Sequence, residues 1–425
     1  MQLINGSRIV IVGGGPAGSF TALHLLYLSA EAHLDLDVII IEARDFNRPG
    51  PGSCNKCAGI LSSTLVQNME RLGLTLPTDV IQSVIDTYIL HIGNAQLPLH
   101  ALNASRRIVS VYRGGGPRLG SRPLPSSFDG WLLHQAQERG ARIIQMRVRA
   151  IRSGSRPIVV TAHEEFEADL VVMATGVNSR PTLDPAWGYQ PPRTEIMAQD
   201  EILLPSGMLD KSVHIFFENP PGLIFGALIP KGRYANLSLL GHGLPSDAVN
   251  QFLDAHGLKA LIPEGATLLC GCTPRVAVST ANGFFANRLV VVGDAAVARL
   301  YKDGIGSAFI TAEAAAKTAI LRGISRQDFL AGYEPVCLRI AADNSYGRLL
   351  LRLWSLTFHT PLLRKAWTQS IINEVNQLVD NRIYTRVLWG MFTGDESYRH
   401  LFWMSLSIPA LLNFLQAALR IRGKR

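Results

Sequence analysis

Residues 8–18 read RIVIVGGGPAG: Arg8-Ile-Val-Ile-Val-Gly-Gly-Gly-Pro-Ala-Gly18. Arg8 to Val12 is a short apolar run of β-branched residues, which predicts a buried parallel strand. Gly13, Gly15 and Gly18 fill G-x-G-x-x-G, with Pro16 and Ala17 between the last two. The first glycine permits a tight turn, the second lets backbone approach a pyrophosphate, and the third lets helix pack on strand. The helix that follows, SFTALHLLYLSA, meets phosphate charge with its N-terminus. A second strand, Asp37-Val-Ile-Ile-Ile-Glu42, ends on an acid beside Ala43. An acid there is placed to accept hydrogen bonds from a ribose diol. The glycine spacing alone is weak, but the order strand, turn, helix, strand, acid predicts a dinucleotide unit.

Later segments agree with that unit. Ala168-Asp-Leu-Val-Val-Met-Ala-Thr-Gly176 reads as a strand ending in a small-residue turn. Asn287-Arg-Leu-Val-Val-Val-Gly-Asp-Ala-Ala296 is another, ending in Gly293-Asp294, where an acid is well placed for a ribityl hydroxyl. Tyr301-Lys-Asp-Gly-Ile-Gly306 then opens an alanine-rich helix. The N–H groups of Gly304, Ile305 and Gly306 are expected at a flavin's pyrimidine edge, where reduction builds negative charge. A second glycine run, Arg113-Gly-Gly-Gly-Pro-Arg118, misses the last glycine of the motif, since position 119 is Leu. One dinucleotide unit without a second points to permanently held FAD. Electrons then come from an external reductant: NAD(P)H, a ferredoxin or a quinol.

The chain has 425 residues, 47% of them hydrophobic and 17% charged. Its mean hydropathy of +0.16 is high for a water-soluble enzyme and suggests contact with lipid or a greasy substrate. The net charge is +8. From Ala341 onward there are eleven Lys/Arg against five Asp/Glu, so most of the surplus is C-terminal. No nucleic-acid motif accompanies it, which leaves an anionic membrane surface as the expected partner. The opening MQLINGSRIVIVGGG has no basic-then-apolar leader, so the expectation is a cytoplasmic protein, peripheral on the inner face of the cell membrane.

Taken together, GGGPAGS (13–19), CAGIL (57–61), FDGWLLHQAQERGA (128–141), ATG (174–176), LIPKGRYANLSLLG (228–241), VVVGDAA (290–296) and DGIGSAFITAEAAA (303–316) resemble the geranylgeranyl reductase family of flavoproteins. That family groups with the hydroxylases and halogenases of the para-hydroxybenzoate hydroxylase type. The resemblance covers residues 1 to about 323. It implies FAD held by Gly13, Gly15, Gly18, Glu42, Gly176, Gly293, Asp294, Gly304 and Gly306. It also implies saturation of isoprenoid double bonds and, in many members, membrane association. Three departures stand out. The family's Arg three residues before Phe-Asp is Pro125 here, and the nearest Arg is Arg122. The aromatic signature Tyr-x-Trp-x-Phe-Pro reads Phe225-Gly-Ala-Leu-Ile-Pro230, with Ala227 in place of the indole. Phe225, Ala227 and Pro230 are therefore expected to wall an enlarged substrate pocket. The third departure is two cysteine pairs, Cys54/Cys57 and Cys270/Cys272.

By the resemblance the CAGIL loop lies between substrate and flavin, and the Cys270/Cys272 segment approaches the same region. Three readings stand side by side. In the first, Cys54 and Cys57 are redox thiols, activated by Lys56 and the stretch after Cys57. In the second, four thiolates hold zinc or an iron–sulfur cluster. In the third, the cysteines are small buried or substrate-facing residues. Lys302 and Tyr301, in the turn expected at the flavin, are further candidates for proton transfer.

The expected fold class is α/β. A Rossmann-type FAD domain (1–182 and 283–323) is interrupted by a β-rich substrate domain (183–282) and followed by a helical, basic region (324–425). Leu401 to Leu419 has no charged residue and reads as an interfacial helix, a spanning anchor or a core helix. The function expected is an FAD-dependent oxidoreductase on a lipophilic substrate, with isoprenoid C=C reduction first. A thiol-dependent electron-transfer flavoprotein, partnered by a donor protein, and a flavin hydroxylase are the alternatives.

Overall fold

The computed structural model describes the chain apart from residues 51, 55–56, 102–103, 121–122, 179–180, 206–207, 210, 263–269, 377–381 and 423–425. Among the described residues the helices are α1 (Pro16–Glu31), α2 (Ser63–Arg71), α3 (Phe128–Glu138), α4 (Ala248–Ala255), α5 (Gly304–Leu321), α6 (Arg326–Gly332), α7 (Glu334–His359), α8 (Pro361–Asn376), α9 (Ile383–Thr393), α10 (Tyr398–Ser405) and α11 (Ile408–Arg422).

The β-branched run becomes the strand Ser7–Val12 at the middle of a six-stranded sheet. It pairs in parallel with Leu36–Ile41 on one side and Leu170–Met173 on the other. Leu289–Val291 and Arg142–Ile144 extend the parallel array. Helices α1, α3 and α5 pack side by side in its core, and Ile151, Val159 and Phe166 of a separate four-stranded sheet join that core, so consecutive residues Ile9, Val10 and Ile11 are all inaccessible to solvent. Apolar residues without alternation are what a doubly covered parallel sheet requires. Helices α1 and α5 meet through Phe20 and Phe309, whose rings pack edge to face at 4.9 Å.

A second six-stranded sheet runs Ala198–Leu203, Tyr234–Gly241, Leu223–Lys231, Ser212–Phe216, Thr87–Ile92, Ala95–His100. Its last two strands come from the segment assigned above to the FAD domain. Ser212–Phe216 pairs with Thr87–Ile92 in parallel, Ser212 opposite Thr87. The boundary expected at 183 is corrected accordingly: residues 87–100 belong to the β-rich unit. Parallel pairing needs a long crossover, and this one spans the whole intervening chain.

Alternation gives this sheet two working faces. One carries Ile202, Leu228, Leu237 and Leu239 and packs on Phe252 of α4. The other carries Tyr88, Leu90, Val213, Ile215 and Ile229 and packs on Ile371, Leu388 and Trp389 of the C-terminal helices. The C-terminal region thus supplies half of a core, and Trp389 is fully buried. The apolar run 401–419 is broken into α10 and α11, which meet at a 51° bend. Pro409 falls at the second residue of α11, where its missing N–H has no intrahelical partner to lose. No single helix among the described residues is long and apolar enough to cross a membrane.

Candidate active site

The glycine turn is built by close approach. Gly13 has φ +106°, and a Cβ there would lie 2.6 Å from the Ala174 carbonyl oxygen. A Cβ on Gly18 would lie 1.8 Å from the Gly13 oxygen, so helix and turn touch backbone to backbone. Gly15, the residue before α1, provides no side-chain cap, and the first turn holds no acid. Its N–H groups are therefore left to an anion. Glu42 is buried and accepts from the N–H of Gly14 at 2.8 Å and of Arg44 at 2.9 Å. Arg44 Nε adds 3.1 Å. Glu42 braces the turn, and Arg44 rather than Glu42 or the exposed Ala43 faces the adjoining cavity.

That cavity, of about 310 Å³, runs from Gly15, Pro16 and Ala17 past Gly176 and Asp294 to the second sheet. Asp294 Oδ1 is buried without a hydrogen-bond partner. Burial pushes its carboxyl up to about 6, with Arg113 pulling the other way. Gly304 and Ile305 line the wall next to it. Gly306 does not: its N–H donates to Asp303 Oδ1 at 3.1 Å, capping α5.

The turn before α5 is fastened to the C-terminal helices. Arg299 reaches Asp303 Oδ2 at 3.0 Å and the carbonyl oxygen of Gly394. Lys302 Nζ donates to the Gly390 oxygen at 2.8 Å and stands 3.8 Å above the Tyr398 ring. Burial, and then Arg299, lowers the amine to about 7. Tyr301 donates its hydroxyl proton to Glu195 at 2.6 Å, and burial with that bond raises its pKa. Both residues line the cavity, yet both direct their polar atoms into the protein.

The opposite wall is the sheet face with Phe225, Ala227, Ile215 and Phe217, closed by Trp354 of α7 and Leu388 and Phe392 of α9. Pro230, named above with Phe225 and Ala227, is one step out of phase with them. It points to the other face and gives its carbonyl to Ser110 Oγ at 2.6 Å.

No family model matches the chain. Protein FixC of Salmonella typhi is 26% identical over 358 residues, covering 75% of this chain and 78% of that protein. A geranylgeranyl bacteriochlorophyll reductase-like protein of Thermoplasma acidophilum superimposes with a TM-score of 0.68 at 16% identity, covering 98% of this chain and all of that one. A flavoprotein/dehydrogenase of Cytophaga hutchinsonii gives 0.65 at 13% identity over 99% of this chain and all of that one. By fold the chain is like these flavoproteins, which implies FAD as its cofactor. Its own residues fit that cofactor. An uncapped helix start suits the pyrophosphate, and the orphan Asp294 oxygen suits a hydroxyl donor.

The position three residues before Phe128 is Pro125, and no arginine stands there. Arg122 lies outside the described residues. Phe128 N–H donates to the Tyr112 oxygen at 2.8 Å, so the start of α3 lies against the residue before Arg113. Arg113 is buried, forks onto Asp129 with Nη2 to Oδ2 at 3.0 Å, and lines the cavity. The glycine run that begins at Arg113 is legible in the sequence, whereas the pairing of Arg113 with Asp129 is a long-range contact.

The cysteines of the flavoprotein divide. Cys57 lines the cavity and accepts from Gly59 N–H at 3.4 Å, while Cys54 does not reach the wall. The next helix begins only after Ser62, which caps it through Leu65 N–H, so no helix start touches Cys57. Lys56 lies outside the described residues. Cys270 and Cys272, expected at the substrate, sit behind the sheet edge. Asp200 accepts from Cys270 N–H at 2.8 Å, and Cys272 pairs backbone to backbone with Gln199. A hydrogen bond with Cys272, and then burial, pushes the Cys270 thiol up. Burial first, and then the charge of Glu201, pushes the Tyr112 hydroxyl up. Among the described residues no three of His, Cys, Asp and Glu are grouped to hold a metal, which leaves the four-thiolate reading without a site.

Proposed function

We propose that the protein is an oxidoreductase that saturates C=C bonds of an isoprenoid lipid, working from a membrane surface. The observation that carries this is the cavity wall facing the flavin end. It is an apolar trough of Ile215, Phe217, Phe225, Trp354 and Leu388, contributed by a sheet and two C-terminal helices. Ala227 lines it at the position where the aromatic signature carries an indole. When bound, reduced FAD would supply the hydride for such a chain, with a proton from solvent completing the addition. The protein's part is to desolvate the alkene, hold it extended along the trough and exclude water, which strengthens every polar interaction inside.

The membrane reading rests on α10 and α11. Ala410 and Ala417 of α11 are fully buried, whereas Ile408, Leu411, Leu412, Leu415 and Leu419 stand exposed on the other side. Trp403 and Leu406 of α10 adjoin them, exposed as well. An apolar stripe beside a surplus of basic residues suits an anionic bilayer surface. Trp354, Leu388 and Phe392 of the cavity wall and this stripe all belong to the C-terminal helices.

The test is an anaerobic assay. The photoreduced holoprotein is mixed with a polyprenyl lipid, and flavin reoxidation is followed with mass analysis of the lipid. Reoxidation coupled to a gain of two hydrogens supports the proposal. Flavin that stays reduced with every polyprenyl lipid, while artificial acceptors reoxidise it, overturns it.

A further inference from the structure

The trough is not apolar throughout. Strand register lays Gln199, Ser238, Ala227 and Ile215 side by side in one row across four strands. All four line the cavity. The two at the start of the row are polar, and they are buried, Gln199 at 5% and Ser238 at 3% exposure.

Their hydrogen bonding differs in an informative way. Ser238 Oγ donates to Asn236 Oδ1 at 2.7 Å. Asn236 Nδ2 in turn donates to Glu201 Oε1 at 3.0 Å, the oxygen that Lys231 Nζ approaches at 3.5 Å. This buried chain commits the serine proton inward, so the hydroxyl offers its lone pairs to the cavity. The Gln199 carboxamide makes no side-chain hydrogen bond among the described residues, although its backbone is paired with Cys272. Lining the cavity, that carboxamide is open to a ligand's hydrogen bond.

We propose that Gln199 and Ser238 form a head-group subsite for a lipid bearing a hydroxyl group. A hydroxyl donates to Ser238 Oγ and accepts from the Gln199 amide, so one small group satisfies both. The neighbouring charges, Glu201 and Lys231, already face each other, and no cation belongs to the row, which disfavours a phosphate there. From the head the tail follows the row toward Ile215 and Phe217. This rests on the lipophilic-substrate reading above and narrows it to an amphipathic, neutral-headed lipid.

The test is binding, not turnover. FAD-loaded full-length protein is titrated with a C20 prenyl alcohol, the matched hydrocarbon and the matched monophosphate. Binding is read from flavin absorbance and from quenching of tryptophan fluorescence, since Trp354 lines the trough. The alcohol is expected to bind about tenfold tighter than the hydrocarbon, one good hydrogen bond's worth. Gln199→Leu and Ser238→Ala each remove most of that preference while hydrocarbon affinity and flavin content stay unchanged. Equal binding of alcohol and hydrocarbon by the wild type overturns the inference and leaves the lipophilic reading standing. A preference for the phosphate, or loss of flavin in either variant, overturns it too, the latter by assigning the pair to the cofactor. Binding of none of the three removes both the inference and the reading beneath it.

Discussion

At the scale of single residues, Asp294 is the sharpest case. Its Oδ1 is buried with no partner in the protein, so a ligand donor gains the whole bond. Asp294→Ala should weaken FAD binding roughly ten- to a hundredfold, the worth of a hydrogen bond to a charged group. Flavin retained after gel filtration, measured by absorbance against protein, checks this. The pH dependence has a definite sign. Burial raises this carboxyl in the folded protein from 3.8 to about 6, so the folded state holds the proton more tightly than the unfolded chain. The resulting stability is fully present below pH 3.8 and is lost as pH rises through about 6. Flavin-free wild type should therefore fall behind flavin-free Asp294→Asn across that window in denaturant melts; parallel curves would contradict it. Cys57, in the cavity wall but away from any helix start, gives a second expectation. Cys57→Ser should keep lipid-dependent turnover, and its loss with FAD still bound would move the thiol-dependent reading to the front.

At the scale of elements, the fork between Arg113 and Asp129 ties the end of one strand to the start of α3. Asp129 is fully buried. Arg113→Met leaves that carboxylate without its guanidinium, and breaking a buried pair in this way costs about 3–5 kcal/mol. A denaturant midpoint shift of that size is the expected result, with Lys at 113 restoring only part of it because an ammonium cannot fork. This element also shows where sequence reading stops. The strand Ser7–Val12, the glycine turn and the Gly293-Asp294 turn are local, and their residues announce them through spacing and chain order. Arg113 reaches its place because a strand end and a helix start are hydrogen-bonded across a loop, which is a long-range fact. The register of Thr87–Ile92 against Ser212–Phe216 is another. Alternation within each strand is readable, but nothing local says which strand it joins. Pro230 was misplaced for the converse reason: a motif groups it with Phe225 and Ala227, whereas the pleat sends it to the other side.

At the scale of the whole molecule, the C-terminal helices carry two apolar surfaces. One closes the trough and the other is open. Composition reveals that the region is greasy and basic; it does not separate the inward stripe from the outward one, because both are apolar. Paired substitution Leu411→Glu and Leu415→Glu charges only the outer stripe. It should abolish co-sedimentation with anionic vesicles while flavin content and melting temperature hold. Retained co-sedimentation would remove the membrane surface from the proposal.

The clasp between the turn before α5 and the junction of α9 with α10 has a practical side. Arg299 and Lys302 seize carbonyls at Gly394 and Gly390, and a Cβ on Gly394 would lie 2.6 Å from the Asp303 Cβ. The turn that adjoins Asp294 is thus held shut by the far end of the chain. Limited protease nicking after α9 should bleach the preparation at the pace of the cut, so the yellow colour doubles as a gauge of whether the tail is still docked.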